Sequence, residues 1–324
     1  MENSTAKSDI VHDTPQRPPW RNIMLLVGLI LLGMSLGNLT AILAIILISS
    51  IDEPLSAAQI PLMLQNPQHF RHAWWYLMLL QSISHIFSFL IPGLMYWRWS
   101  EQHHVENFIK RPLPPAATIW LSVMVVFVFM PFNSWVIEWN SQLDLPSVLQ
   151  PLEQWMSDKE AELARMTDFL TSFDTWGQLV VAIGVIAVIP AFGEEVLFRG
   201  VIQRKIFHKI PNSHVAVWLT AALFSAIHLQ FYGFVPRLLL GVLFGYLYMW
   251  TRTLWIPIIA HFVNNAATVF ILFLNHRGVV NFDIEHTENM IPWVGVLLSL
   301  VATIGLLALI KNRPLSSVST PYGT

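Results

Sequence analysis

Residues Trp176 to Gly200 read WGQLVVAIGVIAVIPAFGEEVLFRG, and this stretch decides the fold. More than a dozen apolar residues run without a charge and then meet Glu194, Glu195 and Arg199 within one and a half helical turns. A helix needs about 20 apolar residues to cross the hydrocarbon layer, and a charge within such a segment is costly unless it is buried and paired. The stretch therefore reads as a transmembrane helix carrying polar groups that need a reason to be there.

Outward from it, seven further apolar stretches qualify or nearly qualify as spans. They run from about Ile23 to Ile48, Trp75 to Trp97, Ala117 to Trp139, His214 to Leu229, Pro236 to Trp250, Thr253 to Leu274 and Ile291 to Ile310. Those starting at His214 and Pro236 are short, as spans packed inside a bundle can be. Composition agrees: of 324 residues, 54% are hydrophobic and only 12% charged, against about 25% charged in a soluble domain. The expected fold class is all-α, a polytopic transmembrane helix bundle of about eight spans.

Basic residues set the expected orientation, because loops on the cytoplasmic side are rich in Lys and Arg. With both termini cytoplasmic, Arg98, Lys110, Arg111, Arg204, Lys205, Lys209, Arg252 and Lys311 share one side. The acidic segment from Asp144 to Asp174 falls on the other and reads as translocated surface. Within it Leu149, Leu152, Trp155, Met156, Leu163, Met166 and Leu170 recur at helical spacing, which predicts a helix lying on the membrane surface. Residues 1–20 read as a disordered cytoplasmic tail, not a signal peptide. Residues 21–312 form a single transmembrane domain with its polar core at about 176–275, and 313–324 a short cytoplasmic tail.

The net charge of −2 gives no footprint for nucleic acid. The absence of cysteine excludes thiol catalysis, disulfides and thiolate metal sites. Chemistry is left to carboxylate, imidazole, amide, hydroxyl and amine groups.

Helical spacing shows which intramembrane groups can meet. Glu195 and Arg199 are four apart and share a face, where they can pair; the bland reading, a structural ion pair, suits them well. Glu194 is rotated about 100° away and lacks that partner. Phe224 and His228 are four apart on the fifth stretch, and His261 and Asn265 four apart on the seventh, projecting from one face towards a common point. Rise along the helices lets Glu194, His228 and His261 share a cavity, and Pro190 and Gly193 would loosen the helix just before the carboxylates. His85 is another buried imidazole and reads as lining or structure. Gly33-x-x-x-Gly37 and Gly241-x-x-x-Gly245 read as close-packing motifs, and His103 and His104 as solvated loop residues.

Glu194-Glu195-x-x-x-Arg199, Phe224-x-x-x-His228 and His261-x-x-x-Asn265, in that order on three spans, resemble the three motifs of the CPBP family. That family comprises the type II CAAX prenyl endopeptidases and their bacterial relatives, the intramembrane glutamic proteases. The resemblance covers about Trp176 to Leu274. It implies that Glu194 is the general base activating water, that His228 helps to bind the water, and that His261 and Asn265 form an oxyanion hole. Glu195 and Arg199 would support the site, and no cofactor would be needed.

A metal site is the competing chemistry: Glu194, His228 and His261 offer three ligands that a catalytic zinc accepts, although the His-Glu-x-x-His signature is absent. Two other classes use the same residues. A proton- or cation-coupled transporter would treat them as a relay, and a membrane scaffold or immunity factor would keep the fold without catalysis. The expected partners are membrane lipid and a peptide or membrane-protein substrate, with no nucleic acid, in what reads as a bacterial cytoplasmic membrane.

Overall fold

The computed structural model describes residues 19–100, 113–143, 145–280 and 292–313. The expected tails, His103 and His104 lie outside these residues, apart from the first tail's Pro19 and Trp20 and the second's Arg313. The described chain is helical, with no strand among the described residues. In order its principal helices are α1 (Arg21–Ser49), α2 (Ala73–Trp99), α3 (Ala116–Ser141), α4 (Gln150–Thr171), α5 (Trp176–Lys209), α6 (Ser213–Ala226), α7 (Phe234–Thr251), α8 (Trp255–His276) and α9 (Trp293–Lys311). All but α4 and α6 are long and apolar enough to cross a membrane. The fold is the expected all-α polytopic bundle, and the chain is a multi-pass membrane protein.

The expected span from His214 to Leu229 is cut short. α6 has 14 residues and ends at Ala226, which at 1.5 Å per residue reaches only about 21 Å. Leu229 takes a positive φ of 53°, and Ser225 Oγ donates to the Phe234 carbonyl at 2.6 Å, so the chain turns back into α7 at once. His228 sits on this turn, not on a straight helix.

α6 and α7 lie close because α7 offers glycines to α6. A Cβ on Gly241 would stand 3.0 Å from the Ala221 Cβ, and one on Gly245 2.9 Å from Val217 Cγ1. Gly33 and Gly37 of α1 likewise face Phe87 of α2, where a Cβ on Gly33 would fall 2.0 Å from the Phe87 carbonyl oxygen. Phe87 belongs to a π-helical turn, Ile86–Leu90, which bulges the α2 backbone outward to meet those glycines. The packing reading of both small-residue motifs holds.

α5 carries two more π-helical stretches, Ile183–Val188 and Val196–Gln203, on either side of the α-helical turn Ile189–Glu195. Such bulges re-aim side chains and concentrate at functional sites. Pro131 in α3 interrupts its ladder too, and Ser299 of α9 repairs the gap: its Oγ accepts from Phe132 N at 3.1 Å and donates to the Val128 carbonyl.

α4 is the helix expected within the acidic segment. Its Trp155 packs on Phe231 of the α6–α7 turn with ring centroids 5.4 Å apart. Its far end is pinned where Trp74 Nε1 donates to the Leu170 carbonyl at 3.0 Å.

Candidate active site

The structure gathers Glu194, His228 and His261 at one point. His228 Nε2 lies 4.0 Å from Glu194 Oε1, and His261 Nε2 lies 3.9 Å from Glu194 Oε2. Glu194 is 5% exposed and His261 4%, so the carboxylate is enclosed, while His228, its side chain 27% exposed, forms the more open edge. Separations of 3.9 to 4.0 Å are too long for direct hydrogen bonds and suit a bridging water.

Each imidazole is oriented by its other nitrogen. His228 Nδ1 lies 2.7 Å from the Phe224 carbonyl, which can only accept, so Nδ1 carries the proton and the neutral ring presents a lone pair at Nε2. That bond also caps a carbonyl left unpaired at the end of α6, which is why Phe224 and His228 stand four apart. His261 Nδ1 lies 2.9 Å from Glu195 Oε1. The same oxygen accepts from Arg199 Nη1 at 2.7 Å, so it is a carboxylate oxygen holding a proton on His261 Nδ1.

Arg199 is wholly buried and still well provided for. Nη2 donates to the Gly241 carbonyl at 2.9 Å, and the guanidinium lies over the Phe224 and Phe244 rings at 4.9 and 5.5 Å. One turn later Gln203 Nε2 donates to the Gly245 carbonyl at 3.2 Å. The pair expected from spacing thus locks α5 to α7 and also holds His261.

Asn265 does not join the cluster by hydrogen bonding. Its Nδ2 donates to the Ile186 carbonyl at 3.1 Å, and its Oδ1 accepts from Asn264 Nδ2 at 3.1 Å. The first bond satisfies a carbonyl of the π-helical stretch Ile183–Val188, and the amide keeps a second hydrogen in reserve.

Two residues reach Glu194 that spacing did not assign. His85 Nε2 lies 3.5 Å from Glu194 Oε1, although its position on α2 had read as lining. Arg237 lies in the first turn of α7 within electrostatic reach of both Glu194 and Glu160. The signal for His85 was present, a lone imidazole in an apolar span; what it faced was not legible. For Arg237 no signal distinguishes it from a flanking charge.

Among the described residues no group of three or more His, Asp or Glu side chains is set to hold a metal ion.

Known proteins resemble part of this chain. Residues 176–267 match the family model "Type II CAAX prenyl endopeptidase Rce1-like". YpbD of Bacillus subtilis (strain 168), an uncharacterized protein, is 30% identical over 108 residues, covering 32% of this chain and 52% of YpbD. The membrane-embedded CAAX protease MroQ of Staphylococcus aureus (strain USA300) is 30% identical over 100 residues, covering 29% of this chain and 40% of MroQ. The chain thus spans about half or less of the length of these curated relatives. No solved structure matches. All three polar motifs fall inside residues 176–267, the segment of this membrane protein that is similar to the type II CAAX prenyl endopeptidase Rce1-like model.

Proposed function

We propose that this protein is an intramembrane endopeptidase in which Glu194 activates water for attack on a peptide bond. The carrying observation is the enclosed Glu194 carboxylate with the Nε2 atoms of His228 and His261 at 4.0 and 3.9 Å.

The protonation pattern supports this chemistry. Neutral His228 accepts at Nε2, and a carboxylate accepts at Oε1. A water about 2.8 Å from both subtends roughly 90° between them, close enough to its own bond angle to give one hydrogen to each. Glu194 takes one proton as the oxygen attacks the carbonyl carbon, and His228 retains the other hydrogen bond. The carbonyl π pair moves onto its oxygen, which becomes the oxyanion. His261 and Asn265 are its proposed donors. His261 can donate from Nε2 only when both ring nitrogens are protonated. Collapse breaks the C–N bond, and the proton on Glu194 passes to the leaving amine, giving an acid and an amine from peptide and water. Glu195 and Arg199 keep His261 in place.

The chemistry proposed uses no metal or cofactor. The partners proposed are membrane lipid and a peptide or membrane-protein substrate, in a bacterial cytoplasmic membrane; similarity to MroQ and to the Rce1-like model supports a membrane protease.

The test compares the purified protein with Glu194→Gln in proteoliposomes, on an internally quenched peptide with and without a C-terminal prenyl group, each with and without a chelator. Cleavage by the wild type alone, insensitive to the chelator, is expected. Loss on chelation shifts the reading to zinc held by Glu194, His228 and His261. Equal behaviour of wild type and Glu194→Gln rejects it, and proton flux in the same vesicles would then favour a transporter.

A further inference from the structure

His85 has the strongest unexplained geometry in the molecule. Its side chain is 13% exposed, its Nε2 is buried without a hydrogen-bond partner, and that atom points at Glu194 Oε1 from 3.5 Å. The ring is held for this. It stacks on Phe89 with centroids 4.5 Å apart and planes 28° off parallel. It also lies against Gly193, where an added Cβ would stand 3.3 Å from its Cδ2. Just beyond it α2 enters the π-helical turn that Gly33 and Gly37 meet.

The tautomers separate the three imidazoles around the carboxylate. His228 and His261 spend their Nδ1 protons on the Phe224 carbonyl and on Glu195, so in their neutral forms both turn a lone pair towards Glu194. A lone pair cannot hold a carboxylate. Among the described residues no hydrogen bond fixes the tautomer of His85, which can be neutral and still carry its proton on Nε2. The remaining charged groups around Glu194 are Glu195 and Arg199 on its own helix and Arg237 on α7.

We propose that His85 is a positioning residue for Glu194: as its Nε2–H tautomer it donates to Oε1, so that the carboxylate meets the water held by His228 in one orientation. This rests on Glu194 being the base. The oxygen has capacity for both, since a carboxylate oxygen accepts at two lone pairs, and a 3.5 Å resting separation can tighten once substrate is bound.

Three variants and one spectrum test it. His85→Phe keeps the ring against Phe89 and Gly193 but removes the donor; His85→Gln puts an amide N–H near the Nε2 position; His85→Asn places it near Nδ1, out of reach. On the quenched peptide, His85→Phe and His85→Asn are expected to lower kcat by about 10- to 100-fold with KM within about twofold, and His85→Gln to recover most of the loss. In protein carrying 15N-labelled histidine in lipid nanodiscs, the His85 resonance, identified by its absence in His85→Phe, is expected to move on Glu194→Gln. Wild-type kcat in His85→Phe overturns the proposal, as does equal loss in His85→Phe and His85→Gln, or a His85 resonance indifferent to Glu194. If the resonance moves but wild-type protein cleaves nothing, the endopeptidase reading fails while the hold of His85 on Glu194 stands.

Discussion

His228 donates from Nδ1 to the carbonyl of Phe224 at 2.7 Å, and this one bond caps the end of α6, fixes the ring's tautomer and turns its other nitrogen towards Glu194. Removing the imidazole should therefore silence the site without dismantling the bundle. His228→Ala is expected to lower kcat by about 100-fold or more, the range of a lost acid–base partner. The protein should still purify as a folded, membrane-inserted chain, checked by circular dichroism and peptide cleavage on the same preparation.

The Glu195–Arg199 pair is fully buried at 2.7 Å, so removal of either partner strands a charge. Arg199→Ala is expected to destabilise the protein by about 3 to 5 kcal/mol, as breaking buried pairs does. Thermal unfolding in detergent should show a large drop in Tm, with little rescue by Arg199→Lys, whose single ammonium lacks the fork that meets both Glu195 Oε1 and the Gly241 carbonyl.

Gly33 is expected to tolerate no side chain. A Cβ there meets the Phe87 carbonyl oxygen at 2.0 Å, and backbone cannot step aside as a flexible side chain can. Gly33→Ala should destabilise by about 1 to 3 kcal/mol, the usual cost of overpacking. Gly28, with nothing within 4 Å of an added Cβ, should accept the same change; paired unfolding curves check both.

Glu160 on α4 should make the docking of that helix sensitive to pH. Burial raises its carboxyl above the ordinary value of 4.5, against the pull of Arg237 and of the backbone at Tyr232 and Phe231. The docked state thus binds more protons than the undocked one, and stability falls as pH rises through the raised value. Hydrogen exchange in residues 229–237 is expected to be slower near pH 5 than near pH 7 once corrected for intrinsic rates, and Glu160→Gln should flatten the difference.

Run length and helical spacing alone were enough for the apolar spans, the helix α4, the close-packing glycines and the pairing of Glu195 with Arg199. Each follows from a local property that any three-dimensional arrangement must respect. The sequence also marked Glu194, His228 and His261 as groups in need of partners, because a polar residue in hydrocarbon has to be satisfied somewhere.

Which partners those were depended on how the helices pack in three dimensions. Three departures from straight helices did the sorting: the end of α6 at Ala226 carried His228 onto a turn, the π-helical turn in α2 followed His85 beside Gly193, and the π-helical stretch in α5 presented the Ile186 carbonyl to Asn265. Where a side chain points depends on the sum of such breaks along its helix and on neighbours far away in the chain. Regular spacing cannot express that sum, which is why a histidine that looked like lining stands closer to Glu194 than either histidine of the motifs.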